Sequence, residues 1–188
     1  MIAGTARGIR LAAPGDGTRP LTDRVKQTLF AVLEPALDDA VVVDLYAGSG
    51  AGAIEALSRG AATAVLVEKD ARACRVITEN LRRTGLAAKA RVVRREVVAW
   101  LVDSGGAAAA APFDVVLLDP PYADAAGLVR ALELLDTHVR EGGIVVAKHF
   151  WRDAPPARVG MLAAERERRF GETALTFYRR VNRETDDT

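Results

Sequence analysis

Short apolar runs alternate with helical patterns through the middle of the chain. Runs of β-branched and other apolar residues predict buried strands, and apolar residues at three- and four-residue spacing predict helices. The predicted strands cover residues 41–46, 64–70, 90–94, 113–119 and 144–150. The predicted helices between them cover residues 50–60, 71–85, 96–105 and 125–139. Strands that alternate with helices in this way indicate a parallel sheet with helices on both faces.

The two ends of the chain depart from this alternation. Residues 1–14 contain short apolar pairs broken by glycines and predict a small β-hairpin or an arm, and residues 22–33 predict a helix. Residues 161–181 predict an antiparallel hairpin that turns at Gly171. The low-complexity stretch 105–112 predicts a mobile loop. Together these elements give an α/β fold with a mostly parallel seven-stranded sheet, an antiparallel C-terminal hairpin and a small N-terminal β-hairpin and helix extension.

These elements divide the chain into an N-terminal extension, residues 1–36, and one main domain, residues 37–183. The end of the chain, residues 184–188, is expected to be disordered. A length of 188 residues, with 49% hydrophobic and 27% charged residues, is typical of one globular domain with a full core. We expect no metal site, because the chain has one cysteine, Cys74, and only two histidines. The single cysteine also excludes a disulfide within the chain.

We expect a cytoplasmic protein, since no apolar run approaches a membrane span and no signal-peptide pattern is visible. We also expect a monomer. The net charge of +1 hides an uneven distribution. Residues 1–30 carry five basic and two acidic residues, and residues 148–183 carry nine and four, whereas the region between them is acidic. Two basic flanks indicate a polyanionic partner. Solvated surfaces of the same composition also serve solubility, so charge alone leaves both interpretations open.

The stretch "DLYAGSGAGA" (44–53) follows the first predicted strand of the main domain and opens a helix. Gly48 and Gly50 let the backbone approach a ligand closely, which is typical of a nucleotide-type cofactor held at a strand-to-helix turn. Glu68 lies twenty residues beyond Gly48, at the end of the second strand, where a carboxylate accepts hydrogen bonds from ribose hydroxyls. A dinucleotide-dependent oxidoreductase would show the same glycine pattern.

Two further acids accompany this loop. Asp44 suits a cofactor that carries an ammonium group and a sulfonium, and it would repel a pyrophosphate. The alternative is that Asp44 only caps amides of the turn. Glu96 follows the third strand and would accept either from an adenine amino group or from amides at a helix start.

A further acid stands at the end of the fourth strand, "FDVVLLDPPY" (113–122). Pro120 and Pro121 cannot continue a sheet, because they lack the amide donor. Asp119 and Tyr122 are therefore expected at the carboxyl end of the strand, where open α/β sheets bind ligands. The alternative is a strand-ending turn with a buried tyrosine.

The segments "VVVDLYAGSG" (41–50), "VEKD" (67–70) and "LLDPPY" (117–122) resemble a class I S-adenosylmethionine-dependent methyltransferase of the amino-methylating kind. With "AGTARGIRL" (3–11), "RPLTDRVKQTLF" (19–30) and "ALSRGA" (56–61), the chain is similar to the bacterial 16S ribosomal RNA guanine-N2 methyltransferases of the RsmD type, from about residue 2 to residue 181. The resemblance implies a Rossmann-like class I methyltransferase fold. It implies S-adenosylmethionine as cofactor and 16S ribosomal RNA, in an assembled or assembling 30S subunit, as partner.

The resemblance also implies the site residues, with residues 1–36 as a cap over RNA and active site. The expected catalytic residues are Asp119, Pro120, Pro121 and Tyr122. The expected cofactor-binding residues are Asp44, Tyr46, Ala47, Gly48, Ser49, Gly50, Glu68, Lys69, Glu96 and Asp119. The expected RNA-binding residues are Arg7, Arg10, Arg19, Thr22, Arg24 and Lys26, although a solvated amphipathic helix would also carry such charges. The sequence departs from the family pattern at Leu21 and at Lys148, where an acid is common.

The chemistry of amine methylation explains the proline motif. An exocyclic base amine is a poor nucleophile, because its lone pair is delocalised into the ring. Asp119 and the Pro120 carbonyl can accept hydrogen bonds from the two amine N–H groups, which favours a pyramidal nitrogen, and Tyr122 offers a face for a flipped base. Two alternatives stay open: the same chemistry on another base amine, such as adenine N6, and an NAD-dependent oxidoreductase. The chain lacks a sequence-reading domain, which argues against a site-specific DNA enzyme.

Overall fold

The computed structural model describes residues 1–15, 23–103 and 105–182. The chain divides into two compact units, Met1–Glu96 and Val97–Thr188. Three expectations fall outside the described residues: the RNA-binding roles of Arg19 and Thr22, and the disordered tail at 184–188. Among the helices of the described ranges, none combines the length and the apolar character that a membrane span requires.

The first unit contains a parallel sheet of three strands in the order β3-β2-β1. The strands are β1 (Val41–Leu45), β2 (Thr63–Glu68) and β3 (Ala90–Arg94), and the helices are α1 (Asp23–Leu33), α2 (Ala51–Ser58) and α3 (Ala71–Thr84). The register sets Leu45 beside Val67 and Glu68 beside Arg94. Because the strands are parallel and in register, their carboxyl ends meet at one edge, which is where a ligand site is expected.

The hairpin expected at residues 1–14 is wrong, because the described residues 1–15 contain no strand. The backbone amides of Ile2 and Ala3 donate instead to the carboxylate of Glu55 on α2, at 2.8 and 3.0 Å. The amide of Ala6 donates to the hydroxyl of Ser58 at 2.8 Å. Side chains of a helix therefore satisfy the amides that a hairpin partner would otherwise satisfy.

The second unit contains five strands in the order β4-β5-β8-β7-β6. The strands are β4 (Phe113–Leu118), β5 (Val139–Phe150), β6 (Arg158–Val159), β7 (Leu162–Phe170) and β8 (Thr173–Arg180). β4 and β5 are parallel, whereas β8 runs antiparallel to β5 and β7 runs antiparallel to β8. The helices are α4 (Val97–Val102), α5 (Ala107–Ala110) and α6 (Ala125–Leu135). The C-terminal hairpin expected around Gly171 is thus confirmed.

Three details of this unit differ from the expectations. The described residues of the chain contain eight strands rather than seven, because the two-residue strand β6 is too short to show a pattern in sequence. Residues 107–110 of the expected loop form a short helix, consistent with the high helix propensity of alanine. β5 begins at Val139, before its glycines, and its pairing with β4 shifts register between Phe113 and Val115.

The core of the second unit lies around β4, whose six residues are all buried. Leu128, Leu132 and Leu135 bury one face of α6, as their helical spacing predicts. Trp100 is buried and stacks on Phe113, with ring centroids 6.2 Å apart. Burial of each such side chain stabilises the unit by about 1.5–3 kcal/mol, so β4 has a rigid setting from which to present the residues that follow it.

Candidate active site

The glycine loop of the first unit turns sharply between β1 and α2. Tyr46, Gly48 and Gly50 all have positive φ, of 63°, 57° and 76°. Glycine adopts this conformation without penalty, whereas for Tyr46 it is strained, and such strain clusters at ligand-binding sites. A Cβ on Gly50 would come within 3.0 Å of Leu66, but a Cβ on Gly48 would meet nothing closer than 4.0 Å. Gly50 is therefore needed for packing, and the open face of the loop lies at Gly48.

Glu68, at the end of β2, contacts this loop directly. Its Oε2 accepts a hydrogen bond from the amide of Gly48 at 3.0 Å, and its Oε1 accepts from the amide of Asp70 at 2.9 Å. The two amides fix the orientation of a half-buried carboxylate, and each oxygen has a further lone pair for a ligand hydroxyl. The ribose role of Glu68 stays a prediction that this geometry favours.

Asp44 is buried in β1, and its Oδ2 accepts a hydrogen bond from the amide of Ala53, in the first turn of α2, at 2.9 Å. This contact is the one expected if Asp44 caps the turn. It also places the carboxylate at the positive end of the helix dipole, a favourable position for an acid. The cofactor role of Asp44 stays a prediction.

Asn80 is a residue of this region that the sequence analysis did not include in the site. Asn80 is fully buried on α3, and its Nδ2 donates to the carbonyl of Ser49 in the glycine loop at 2.9 Å. The same amide group exchanges two hydrogen bonds with the backbone of Ala12, at 2.8 and 2.9 Å. One side chain thus ties the N-terminal segment to the glycine loop. A polar amide within an otherwise amphipathic helix was the only signal in the sequence.

Among the remaining expected cofactor and RNA residues of the first unit, Ala47 is buried in the glycine loop, and the other described ones are half-buried or exposed. Lys69 and Glu96 are exposed and follow the carboxyl ends of β2 and β3. Arg7, Arg10 and Arg24 are also exposed, and Lys26 is half-buried. Their proposed contacts stay predictions.

In the second unit, β4 ends at Leu118 and presents Asp119 beside Lys148 of β5. The Lys148 ammonium nitrogen lies 2.5 Å from Oδ1 of Asp119. The register explains this contact, because Leu118 pairs with Ala147 and the next residues of both strands lie side by side. Burial raises the pKa of the Asp119 carboxyl, while the charge and hydrogen bond of Lys148 act in the opposite direction. The departure from the family pattern at Lys148 therefore lies directly at the expected catalytic acid.

Tyr122 does not fit the alternative of a buried tyrosine in a turn, since it is 40% exposed. Its hydroxyl is hydrogen-bonded to that of Thr173 at the start of β8, at 2.5 Å. The Lys148 ammonium lies 5.3 Å from the ring centroid, and the Phe150 ring centroid lies 6.1 Å away. The ring is thus held in position while much of its surface stays accessible, as base stacking requires.

His149 lies near the end of β5 and Trp151 directly after it, and the two differ in setting. His149 is buried, and its two ring nitrogens are hydrogen-bonded to Thr176 Oγ1 and to the Phe150 carbonyl, both at 2.8 Å. These bonds give it a structural role inside the antiparallel strands. Trp151 is half-exposed and contacts two arginine side chains, Arg152 and Arg169.

Comparison with known proteins places these features in a family. The family described as Conserved hypothetical protein 95 matches residues 1–179. Ribosomal RNA small subunit methyltransferase D from Escherichia coli (strain K12) is 34% identical over 183 residues, which cover 96% of this chain and 89% of that protein. The solved structure of the Escherichia coli protein yhhF is also 34% identical, with a TM-score of 0.82 and coverage of 96% of this chain and 97% of that chain.

More distant structures share the same fold. An RNA methyltransferase from Salinibacter ruber, solved in complex with S-adenosyl-L-homocysteine, has a TM-score of 0.65 at 18% identity, covering 90% of this chain and 98% of that chain. At this identity the likeness concerns the fold alone. The expected α/β fold of the Rossmann-like class I methyltransferases is therefore confirmed.

Proposed function

Because the chain belongs to the family of ribosomal RNA small subunit methyltransferase D, we propose that it transfers a methyl group from S-adenosylmethionine to the exocyclic N2 amine of a guanine in 16S ribosomal RNA. The observation that carries the amine assignment is the Asp119-Pro120-Pro121-Tyr122 segment, which presents an acid, a fixed carbonyl and an accessible aromatic ring at the end of β4. The family excludes the alternative of an NAD-dependent oxidoreductase.

The first unit fits S-adenosylmethionine. The open face at Gly48 is a surface that a side chain would fill, and Glu68 beside it is pre-oriented to accept hydrogen bonds from hydroxyl groups. The segment Tyr46–Gly50 contains no basic residue that would favour a pyrophosphate. When bound, the cofactor supplies an electrophilic methyl group on a sulfonium. Asp44, Lys69 and Glu96 complete the proposed cofactor-binding set.

Asp119 and Pro120 act on the target amine. In the proposed complex one amine N–H donates a hydrogen bond to the Asp119 carboxylate and the other N–H donates to the Pro120 carbonyl. Both acceptors draw the nitrogen lone pair out of conjugation with the ring, and the strand end holds them in place before the base arrives. Among the described residues, Lys148 is the one group bonded to the Asp119 side chain. The second carboxylate oxygen is therefore available to the amine, and Asp119 or water receives the released proton.

Tyr122 holds the base. A guanine inside a stack cannot reach a strand end, so the target nucleotide turns outward and its base stacks on an aromatic face. The ring of Tyr122 is accessible and braced by the bond to Thr173. The proposed setting is the RNA of an assembled or assembling 30S subunit in the cytoplasm. Arg7, Arg10, Arg24 and Lys26 contribute RNA phosphate contacts, and the protein acts as a monomer.

The proposal is tested by mapping methylated nucleotides in ribosomal RNA. Small subunits from a strain that lacks this protein are incubated with the purified protein and labelled S-adenosylmethionine, and the labelled nucleotide is identified. One N2-methylguanine in 16S ribosomal RNA is the expected product. Label on the N6 amine of an adenine would show that the enzyme carries out the same chemistry on another base. The absence of label in RNA would contradict the proposal.

A further inference from the structure

A cluster of arginines lies on the antiparallel strands of the second unit, outside the residues assigned above. β7 carries the sequence "ERERR" (165–169), and all five residues are exposed. Only Leu162 and Ala163 of this strand pair with β6, so beyond them β8 is its one strand neighbour among the described residues. The strand therefore forms an exposed edge that is rich in positive charge.

The two acids of this edge have partners, but three of its arginines lack an acidic one. Glu165 pairs with Arg179, with an oxygen 2.8 Å from its Nε. Glu167 accepts from the Thr176 hydroxyl at 3.4 Å and lies 4.0 Å from Nε2 of His149. Within the described ranges no carboxylate lies within ion-pair distance of the guanidinium groups of Arg166, Arg168 and Arg169.

Two guanidinium groups converge on one indole ring at the end of this edge. The Arg169 guanidinium carbon lies 3.5 Å from the Trp151 ring centroid, and that of Arg152 lies 4.8 Å from it. Arg169 Nε also donates to the Gly171 carbonyl at 2.9 Å, which fixes the planar group. Arg152 likewise has no acidic partner among the described residues. Like charges held together without an acid repel each other, and a bound anion removes that repulsion.

Arg169 and Arg152 adjoin the proposed target-base site, and Arg168 and Arg166 follow further along β7. Thr173, which is bonded to the Tyr122 hydroxyl, pairs with Phe170 of β7, the residue after Arg169. The Trp151 amide donates to the Glu172 carbonyl in the same turn at 3.0 Å. The aromatic ring for the base and the ordered guanidinium groups thus belong to one end of the same antiparallel strands.

We propose that Arg152, Arg166, Arg168 and Arg169, here called the arginine edge, bind the phosphates of the RNA strand that flanks the target nucleotide. This inference rests on the proposed function, since it names the surface that holds that substrate beside Tyr122. Arginine stacked on an aromatic ring loses little freedom when it binds a phosphate, and its planar fork matches two phosphate oxygens. The competing explanation is an edge strand whose charges only prevent edge-to-edge association.

The test compares three variants of the full chain by RNA binding over a range of salt concentrations. The first changes all four arginines of the edge to Gln, and the second changes them to Lys. The third is a charge-matched control in which four exposed basic residues of α3 and the turn after it become Gln: Arg72, Arg75, Arg83 and Lys89. The probes are 16S ribosomal RNA and a poly-glutamate chain, and S-adenosylmethionine binding by calorimetry reports folding.

The Gln variant of the arginine edge is expected to lose at least about tenfold in RNA affinity, and its salt slope should fall by about two units. The Lys variant should keep most of the salt slope. The control variant should bind RNA with the wild-type affinity and salt slope, and all three variants should keep the wild-type affinity for S-adenosylmethionine. Wild-type slope and affinity in the Gln variant would overturn the inference and leave a solvated edge. An equal loss of RNA affinity in the control variant would also overturn the inference. If wild-type protein bound poly-glutamate as tightly as it binds RNA, the assignment of RNA as the ligand would be overturned. If the edge binds RNA but wild-type protein methylates none, the proposed function fails separately.

Discussion

The Lys148 ammonium lies 2.5 Å from the Asp119 carboxylate, where the carboxyl ends of β4 and β5 adjoin. This ion pair couples a cation to the acid that is proposed to accept a hydrogen bond from the target amine. Burial raises the pKa of Asp119 and Lys148 opposes that shift. Lys148 therefore keeps the carboxylate ionised, and so able to accept, at a lower pH than burial alone would allow.

Replacing Lys148 should move the pH dependence of methyl transfer. Protonation makes the Asp119 carboxyl a weaker acceptor for the amine hydrogen bond, so the rate falls as the pH drops through its pKa. Lys148→Met removes the cation that lowers this pKa, so the acid limb should move to higher pH. Lys148→Arg keeps the charge and should retain the wild-type limb. The measurement is the single-turnover rate against pH with saturating cofactor and RNA, and identical limbs in wild type and Met variant would contradict it.

Glu68 should matter for cofactor binding and not for RNA binding. Glu68→Ala removes the acceptor proposed for the ribose and frees the Gly48 amide, which should weaken S-adenosylmethionine binding by about 1–3 kcal/mol. Glu79→Ala removes an exposed acid of α3 that pairs with Arg82 and serves as the matched control. Calorimetry with S-adenosylmethionine measures both variants. A Glu68→Ala affinity equal to that of the control would remove Glu68 from the cofactor site.

Tyr122 is expected to act through its ring more than through its hydroxyl. Tyr122→Ala should weaken productive RNA binding by about 1–3 kcal/mol, the value of one base stacked on an aromatic side chain. Tyr122→Phe keeps the ring and loses the bond to Thr173, so it should retain most activity. Steady-state kinetics with varied RNA separates the two variants. If Tyr122→Phe lost as much activity as Tyr122→Ala, the hydroxyl of Tyr122, and not stacking on its ring, would be the functional group.

The alternation of strands and helices was predictable because each element carries its own periodicity. The position of Glu68 was predictable too, since parallel strands bring their carboxyl ends together. The ion pair between Asp119 and Lys148 was not predictable, because the sequence of a strand does not show which residue of the neighbouring strand lies beside its lysine. The contacts of Asn80 with Ala12 and Ser49 join distant parts of the chain, and no local pattern marks them. The N-terminal segment was mistaken for a hairpin because the helix acid that binds its amides, Glu55, lies more than fifty residues away.

The central claim is that Asp119 accepts a hydrogen bond from the target amine in the transition state. Asp119→Ala removes that acceptor, and a loss on the order of a hundredfold or more in methyl transfer is expected, with cofactor binding kept. Asp119→Asn retains an oxygen that accepts but cannot titrate, so it should keep partial activity and lose the acid limb that Asp119 causes.

The most direct measurement is therefore the single-turnover transfer of labelled methyl to small-subunit RNA by wild type, Asp119→Asn and Asp119→Ala. Calorimetry with S-adenosylmethionine on the same preparations shows that each variant is folded. The account predicts wild type fastest, Asn intermediate and Ala slowest. Asn as inactive as Ala would instead indicate an obligatory proton-abstracting base, and equal rates in all three would contradict a chemical role for Asp119.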